Sequence, residues 1–372
     1  MTRALWVTTD FLPRSGGIEQ YLANLLAHQR PEDARVLTAP WPGAQAFDRT
    51  LPYRVDRIGR RPLLPTRALA RRVREAADAH RAEVVLLGPA WPLGELADRV
   101  DRPTVALSYG HEAGMARVGA GMLVRRIGKA SAVTVISDFT SRSLEPWLAA
   151  RTRLELVPPG VDVDTFRPGA NGPSIRARHG IAADQPLVTC ISRLVARKGQ
   201  DVLVETWPLV KAAVPGAHLL IVGTGPRARA LRTRVAALGL DRDVTLTGEV
   251  PWSELPAYHG AADVFAMPCR TRLGGLDVEG LGIVYLEAQA CGVPVVAGSS
   301  GGAPEALIDG ETGHVVDGGD PRAVTGAIVA LLRDPDRRQA MGAAGRAFVE
   351  QRWAWPVVVR ALETLLADLA RS

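Results

Sequence analysis

The chain alternates short apolar runs with longer segments that carry apolar residues on one side only. Five runs in the first half have the continuous apolar character of buried strands, namely Ala4–Thr8, Arg35–Thr38, Val84–Leu87, Thr104–Leu107 and Ala132–Ile136. Helical periodicity follows most of them, and the predicted helices are Gly17–Gln29, Arg67–Ala79 and Phe139–Leu148. Strands that alternate with helices in this way are typical of α/β layers built on parallel sheets.

The alternation is interrupted once, at residues 157–174, and then restarts. The interrupting segment, VPPGVDVDTFRPGANGPS, is rich in Pro, Gly and Asp, as an interdomain linker is. The predicted strands and helices beyond it are Leu187–Ser192, Gln200–Ala213, His218–Val222, Ala228–Leu238, Val244–Gly248, Val264–Met267, Ile283–Ala290 and Val293–Ala297.

Two consecutive doubly wound, Rossmann-like α/β domains are therefore predicted, at residues 1–165 and 173–352. Ligands bind such sheets outside the carboxyl ends of their strands, so we expect the two domains to face each other across a cleft. The final stretch, Trp353–Leu369, has a helical pattern with one apolar side. We expect it to cross back to the N-terminal domain, to which residues 353–372 would then belong.

Composition is that of a globular protein, with 372 residues, 47% hydrophobic and 23% charged. No apolar run approaches the roughly 18 residues that a membrane span needs. The first residues have the pattern of a strand and not of a signal peptide, which predicts residence in the cytoplasm. Three scattered cysteines fit neither a disulfide framework nor a metal site and are interpreted as ordinary thiols.

The net charge of +6 comes mainly from arginine, since all but three of the 45 basic side chains are arginines. Basic residues crowd the stretch 60–74, and a second group is Arg125, Arg126 and Lys129. A basic surface attracts nucleic acid, anionic lipid or an anionic substrate. Nucleic acid is not expected as a partner, because neither a recognition motif nor interleaved aromatic residues accompany the charge.

Residues 274–305 are the most informative segment about function. Glu279 and Glu287 stand eight apart across a glycine-rich turn, with Gly280 and Gly282, that leads into a short predicted helix. The N-terminus of a helix presents unpaired N–H groups and the positive end of the dipole, which suits a phosphate. Carboxylates before and inside the helix offer acceptors for hydroxyl groups. The combination predicts a site for a phosphorylated, hydroxyl-rich ligand.

A second motif, SRLVARKGQD at Ser192–Asp201, follows a predicted strand. Arg193 and Lys198 lie five apart in the loop between that strand and the next helix. A guanidinium fork together with an ammonium group suits a diphosphate and would neutralise it as a leaving group. The alternative is a pair of solvated loop cations.

Three further segments are weaker signals. Gly16 and Gly17, in the motif SGGIEQYLANLL, separate the first strand from its helix and would let the backbone approach a phosphate closely; a plain turn explains them nearly as well. The loop VGTGP at Val222–Pro226 lacks the spacing of the dinucleotide fingerprint. In SYGHE, His111 follows a strand at the ligand-binding edge and could donate to a hydroxyl or phosphate. A surface histidine is the alternative.

The two glutamates also allow comparison with the carboxylate pair of a glycosidase. If the chain between them were helical, a separation of eight residues would span about 12 Å at 1.5 Å per residue. Glycosidases place their carboxyl groups roughly 5–9.5 Å apart. Hydrolysis is therefore disfavoured, although the turn before the helix need not be helical.

Taken together, these motifs resemble the retaining glycosyltransferases of family 4, which have the two-domain GT-B fold. The Glu279/Glu287 pair, SRLVARKGQD, the GGIE turn and VPPGVDVDTFRP occur in the same order over essentially the whole chain. Through TRLGGLDVEGLGIVYLEAQACGVPVVAGSSGGAPE and SYGHE, the chain is most similar to actinobacterial members that transfer mannose from GDP-mannose to phosphatidylinositol mannosides.

The resemblance implies a role for each matching position. Arg193 and Lys198 would hold the diphosphate of the sugar nucleotide, Glu287 the ribose hydroxyls, and Glu279 hydroxyls of the transferred sugar. Backbone N–H groups at Gly282 and Ile283 would contact the sugar or a phosphate, and Gly16 and Gly17 would contact the diphosphate. His111 would lie near the reactive side of the sugar, and Gly223 and Val250 would lie near the base.

The implied activity is retaining transfer of mannose, in which the acceptor attacks from the face that the leaving group occupies. Neither a cofactor nor a metal ion is expected, and no DxD-type metal loop stands at the expected phosphate site. The expected partners are a sugar nucleotide, a phosphatidylinositol mannoside or other glycan acceptor, and the inner face of an anionic membrane. For membrane contact, Leu63, Leu64 and Leu69 beside the arginines of 60–74 predict an interfacial segment, with an ordinary surface helix as the alternative. The alternative activities are transfer from a UDP-sugar to a soluble acceptor and epimerisation of a sugar nucleotide.

Overall fold

The computed structural model describes residues 2–14, 16–117, 121–150 and 152–371, with the backbone alone at residues 123 and 124. The chain divides into two compact units. Unit 1 comprises Met1–Gly160 together with Trp355–Ser372, and unit 2 comprises Val161–Ala354.

Unit 1 is built on a parallel sheet. Its strands are β1 (Ala4–Thr8), β2 (Ala34–Thr38), β3 (Arg54–Arg57), β4 (Val84–Gly88), β5 (Thr104–Leu107), β6 (Ala132–Val135) and β7 (Arg153–Leu156). Within the described residues they form one seven-stranded sheet of order β3-β2-β1-β4-β5-β6-β7, and each pair of neighbours is parallel.

Helices cover both faces of this sheet. They are α1 (Gly17–Ala27), α2 (Ala44–Asp48), α3 (Arg67–His80), α4 (Ala90–Leu93), α5 (His111–Arg117), α6 (Gly121–Val124) and α7 (Asp138–Leu144). Because successive strand residues point to opposite faces, β1 contributes to two separate core layers. Leu5 packs in one layer with Val73 of α3, and Trp6 packs in the other with Leu22 of α1.

Unit 2, of which every residue is described, repeats this plan. Its strands are β8 (Leu187–Ile191), β9 (His218–Val222), β10 (Val244–Gly248), β11 (Val264–Met267), β12 (Val295–Gly298) and β13 (Gly313–Val316). They form a six-stranded parallel sheet of order β10-β9-β8-β11-β12-β13. Its helices are α8 (Gly172–Arg178), α9 (Gln200–Ala213), α10 (Ala228–Ala237), α11 (Leu255–Gly260), α12 (Ile283–Ala290), α13 (Pro321–Arg333) and α14 (Pro335–Arg352).

Most of the segment predicted to be a linker is folded into unit 2. The boundary between the units falls inside it, after Gly160. Immediately beyond, the N–H of Val161 donates to the carbonyl of Trp353 at 2.7 Å, and the Phe166 side chain is buried in the core of unit 2. Arg346 of α14 donates to the carbonyls of Val163 and Phe166 at 2.9 and 2.7 Å. The abundance of Pro, Gly and Asp therefore marks tight turns here and not a free tether.

The sequence pattern missed three strands, and all three lie at a sheet edge. β3 and β7 border the sheet of unit 1, and β13 borders the sheet of unit 2. Their sequences, RVDR, RLEL and GHVV, lack the continuous apolar run of a central strand, and most of their residues are only partly buried. An edge strand has one neighbour and a solvated side, so its composition does not separate it from a loop.

The predicted interfacial segment was wrong about two of its three leucines. Leu69, on this helix, and Leu63, before it, were expected beside the arginines as an apolar contact with lipid. Both are buried in the core of unit 1, whereas Leu64 is 55% exposed. The apolar side of α3 packs against its own sheet, and its outward side is basic.

The last helix, α15 (Trp355–Arg371), packs on the core of unit 1 as its amphipathic pattern predicted. Leu362, Leu365 and Leu366 are buried in the same layer as Leu22 and Trp6. The C-terminus of the chain thus completes one face of the N-terminal sheet.

We predict that Leu365→Ala destabilises unit 1 by about 2–5 kcal/mol, since it removes a buried side chain and leaves a cavity. Urea unfolding followed by hydrogen exchange of peptides from each unit measures the loss. Thr364→Ala, at the neighbouring exposed position, is the control and should leave the exchange of unit 1 unchanged. Equal stability of the two variants would contradict the placement of α15.

Candidate active site

The candidate site lies at the carboxyl edge of the unit 2 sheet, where the strand order reverses. From β8 the chain continues through β9 to β10 on one side, whereas β11, β12 and β13 extend on the other. The loops after β8 and β11 therefore diverge from neighbouring strands, which is where open α/β sheets bind ligands. The N–H of Arg270 donates to the carbonyl of Arg197 at 2.8 Å and joins the two loops.

An ion pair spans this switch point. Nζ of Lys198, in the loop after β8, lies 2.8 Å from Oε2 of Glu279, in the loop after β11. Nε of Arg197 lies 3.5 Å from the same oxygen. The Lys198 and Glu279 side chains are only 12% and 8% exposed. Two charges this deeply buried are tolerated because each offsets the desolvation of the other.

Arg193 is placed differently from Lys198. Its carbonyl accepts from the side-chain amide of Gln200 at 3.2 Å, so the backbone is fixed. Its side chain is exposed, and within the described residues its guanidinium has no ion-pair partner. Arg193 thus presents an unneutralised positive charge at the edge where Lys198 and Glu279 meet.

A glycine-rich turn after β12 holds the backbone of Glu279. The N–H of Glu279 donates to Oγ of Ser300 at 3.3 Å, and the N–H of Gly302 donates to the carbonyl of Glu279 at 3.0 Å. Between them, Gly301 has φ +58°, and a Cβ added there would lie 2.0 Å from that carbonyl. Only glycine allows the turn to approach Glu279 this closely.

Helix α12 begins beside Glu279. Gly282 is its N-cap with φ 85°, Ile283 is its first residue, and no described side chain caps its N–H groups. Glu287 lies one turn further along and is buried, with Oε2 3.4 Å from Nε2 of His259 on α11. The two glutamates therefore contact different partners.

The residues predicted to contact the base also lie together. β9 and β10 are parallel neighbours, so the loops after them share one edge. The N–H of Gly223 donates to the carbonyl of Gly248 at 2.8 Å. Val250, two residues beyond, is partly buried against the core of unit 2.

Gly16, Gly17 and His111 belong to unit 1. Gly16 precedes α1 and Gly17 opens it, while Ser15 of the same motif lies outside the described residues. His111 opens α5 with an exposed side chain. The adjacent Glu112 is buried and accepts from the hydroxyl of Ser108 at 2.9 Å and the N–H of Trp91 at 3.2 Å. Glu112 therefore fixes the start of α5.

Sequence reasoning missed three residues of the unit 2 site. Arg197 stands next to Lys198 in the quoted motif and could have been found from that position. Ser300 lies in the glycine-rich turn of the quoted segment, where a hydroxyl beside glycines is a weak signal. His259 carried no signal, because a single histidine in a helical stretch gives no indication of its neighbours.

The cysteines near the site have the properties of ordinary buried thiols. Burial raises the pKa of Cys190 to about 12. Burial, with the negative charge of Glu279 adding to it, raises the pKa of Cys269 to about 11. Neither thiol is ionised near neutral pH.

Among the described residues, no group of three or more His, Cys, Asp or Glu side chains is placed to hold a metal ion.

Comparison with known proteins connects both units to one enzyme class. Residues 15–165 match the family described as "Glycosyltransferase Family 4", and residues 172–348 match "Glycosyl transferases group 1". The GDP-mannose-dependent alpha-(1-6)-phosphatidylinositol monomannoside mannosyltransferase of Mycolicibacterium smegmatis is 46% identical, over 94% of each chain. The GDP-mannose-dependent monoacylated alpha-(1-6)-phosphatidylinositol monomannoside mannosyltransferase of Corynebacterium glutamicum is 42% identical, over 99% of each.

Solved structures share the fold. HepE of Anabaena in complex with UDP has a TM-score of 0.83 at 20% identity, over 99% of this chain and 100% of that one. Sucrose-phosphate synthase of Thermosynechococcus elongatus has a TM-score of 0.78 at 21% identity, over 100% of both. The two Rossmann-like units are those of a glycosyltransferase with the GT-B fold. The chain belongs to glycosyltransferase family 4.

We predict that Gly301→Ala lowers the free energy of unfolding of unit 2 more than Gly310→Ala does. Both place a side chain at positive φ, at a cost of about 1–2 kcal/mol. Only Gly301→Ala also forces a Cβ against the Glu279 carbonyl, whereas a Cβ at Gly310 meets nothing within 4 Å. The clash should add about 1–3 kcal/mol.

Urea unfolding of the two variants, with hydrogen exchange of the peptide that contains Glu279, tests the prediction. Faster exchange of that peptide is expected for Gly301→Ala alone. Equal effects of the two substitutions would show that the turn does not support Glu279.

Proposed function

We propose that this enzyme transfers mannose from GDP-mannose to a phosphatidylinositol mannoside with retention of configuration. The observation that carries the proposal is the group formed by Lys198, Arg197 and Glu279 beside the uncapped start of α12. Cations and helix N–H groups recognise a diphosphate, and a carboxylate recognises sugar hydroxyls. The choice of mannose and of the lipid acceptor is supported by the relatives that are 42–46% identical over nearly the full length.

In the proposed reaction, Lys198 and Arg193 bind the diphosphate and stabilise the negative charge that grows on it as the bond to the sugar breaks. Glu279 accepts from hydroxyls of the mannose, and Glu287 accepts from the ribose. The N–H groups at Gly282 and Ile283 add the positive end of α12. Because the chain supplies these charges itself, the transfer is proposed to need no metal ion.

Retention without a protein nucleophile requires attack from the face that the leaving group occupies. The departing phosphate then takes the proton of the acceptor hydroxyl while the new bond to the sugar forms on the same face.

No described contact assigns a role to Gly16, Gly17 or His111, so their roles stay predictions from the family resemblance. Gly223 and Val250 are proposed to contact the base through the backbone.

Transfer of radiolabel tests the proposal. Purified protein is incubated with GDP-mannose or UDP-glucose, each labelled on its sugar, and with phosphatidylinositol monomannoside in anionic vesicles. Label from GDP-mannose should enter the organic-extractable lipid. Transfer from UDP-glucose alone would replace the donor, and conversion of either donor without an acceptor would indicate an epimerase. Tight binding of GDP-mannose without any transfer would contradict the lipid acceptor and favour a soluble one.

We predict that Arg193→Ala and Lys198→Ala each lower turnover by about 10²-fold or more, because each removes a preorganised positive charge from the leaving group. Steady-state rates at saturating GDP-mannose give the measurement. Lys211→Ala is the matched control, because Lys211 is in the same unit and pairs with Asp243 at 2.5 Å, outside the site. Near-normal turnover of both site variants would contradict the assignment of Arg193 and Lys198 to the diphosphate site.

We further propose that the enzyme acts as a peripheral protein at the inner, cytoplasmic face of an anionic membrane. No helix among the described residues is long and apolar enough to span a bilayer. Arg60, Arg67, Arg71 and Arg72 are exposed on or just before α3, and the exposed Leu64 lies among them. Attraction to anionic headgroups therefore rests on charge, with at most one leucine inserted.

Vesicle co-sedimentation of the charge-reversed variant Arg67→Glu/Arg71→Glu tests this contact. Each basic residue near an anionic surface contributes about 1 kcal/mol, so the double reversal should weaken binding roughly 10-fold or more. Arg229→Glu/Arg232→Glu, on exposed positions of α10, changes the net charge equally and should bind as the wild type does. A loss of the same size in both variants, or wild-type binding to neutral vesicles, would contradict docking through α3.

A further inference from the structure

His259 is a fully buried histidine that the proposed mechanism leaves without a role. It is the second-last residue of α11 and is 0% exposed. Its ring packs against two aromatic rings, with centroids 5.9 Å from Phe166 and 5.4 Å from Phe265. Within unit 2, neither ring nitrogen has a hydrogen-bond partner. Leaving buried polar atoms unpaired costs free energy, so a purely space-filling role would favour an apolar ring here.

The polar group that His259 faces is the carboxylate of Glu287. Nε2 lies 3.4 Å from Oε2, which is within reach of a long hydrogen bond but without its alignment. The Glu287 side chain is itself only 9% exposed. A small rotation of the Glu287 side chain closes the contact, and the ring can then donate an Nε2–H to the carboxylate.

We infer that His259 is a positioning residue for ribose recognition. Its Nε2–H holds one oxygen of Glu287, so that the other oxygen is directed at a ribose hydroxyl of the bound nucleotide. The inference rests on the proposed function, in which Glu287 accepts from the ribose. It adds that Glu287 depends on α11 for its orientation.

The packing explains why a histidine suits this position. The rings of Phe166 and Phe265 restrict the imidazole on two sides, so its N–H is held in a narrow range of directions. A carboxylate at the end of a flexible side chain loses rotamer freedom when it binds. A fixed donor removes part of that loss before the nucleotide arrives.

A comparison of ribose and deoxyribose nucleotides isolates this role. Calorimetry gives the dissociation constants of GDP, 2′-deoxy-GDP and 3′-deoxy-GDP for the wild type, His259→Phe and His259→Gln. A hydrogen bond to a charged group is typically worth a factor of about 10 or more in affinity, so the wild type should lose about that factor with one of the deoxy nucleotides.

In His259→Phe, which keeps a ring between the two phenylalanines, the ratio of deoxy to ribose dissociation constants should fall to within about threefold of unity. His259→Gln, whose amide N–H reaches to a similar place, should restore most of the wild-type ratio. His218→Phe is the matched control: His218 is a buried histidine of the same unit that pairs with Thr245 at 2.9 Å, and its variant should keep the wild-type ratio.

A ratio that stays at the wild-type value in His259→Phe would overturn the inference, as would a wild type that does not distinguish ribose from deoxyribose. A general loss of stability changes both dissociation constants together and leaves their ratio unchanged. If the protein binds UDP in place of GDP, the proposed donor fails, and the same comparison with UDP and its 2′- and 3′-deoxy forms still decides the role of His259.

Discussion

The site of unit 2 depends on the ion pair between Lys198 and Glu279. It joins the loop after β8 to the loop after β11 across the point where the strand order of the sheet reverses. Both side chains are mostly buried, so removal of Glu279 leaves the charge of Lys198 uncompensated, at a typical cost of about 3–5 kcal/mol. The same two groups are those proposed to bind the diphosphate and the sugar. Under this proposal, folding and substrate binding depend on the same pair of side chains.

The ion pair also bears on how the proposed site would bind substrate. A diphosphate offers Lys198 a second anion, and the hydroxyls of a sugar offer Glu279 new donors, so each group exchanges a protein partner for a substrate partner. The backbone of Glu279 stays in place during such an exchange because Ser300 and Gly302 hold it through hydrogen bonds. Arg193, whose side chain is exposed, has no ion-pair partner among the described residues and is proposed to supply a further positive charge.

Much of this could be predicted from the sequence, and the failures have physical reasons. Central strands such as β1 and β9 were predicted to the residue because burial on both faces demands a continuous apolar run. Edge strands such as β3 were missed because half of their surface is solvated. Lys198 and Glu279 were identified by their motifs, but their contact joins loops about 80 residues apart and depends on the strand order. His259 was missed because its significance comes only from Glu287, on another helix.

A structure of the enzyme bound to GDP-mannose tests the central claim most directly. We expect the diphosphate to contact Lys198 and Arg193 at the start of α12, with mannose hydroxyls on Glu279 and ribose hydroxyls on Glu287. The Lys198–Glu279 distance should lengthen beyond the 2.8 Å of this structure as the pair exchanges partners. A diphosphate bound away from both cations, with the ion pair unchanged, would contradict the account.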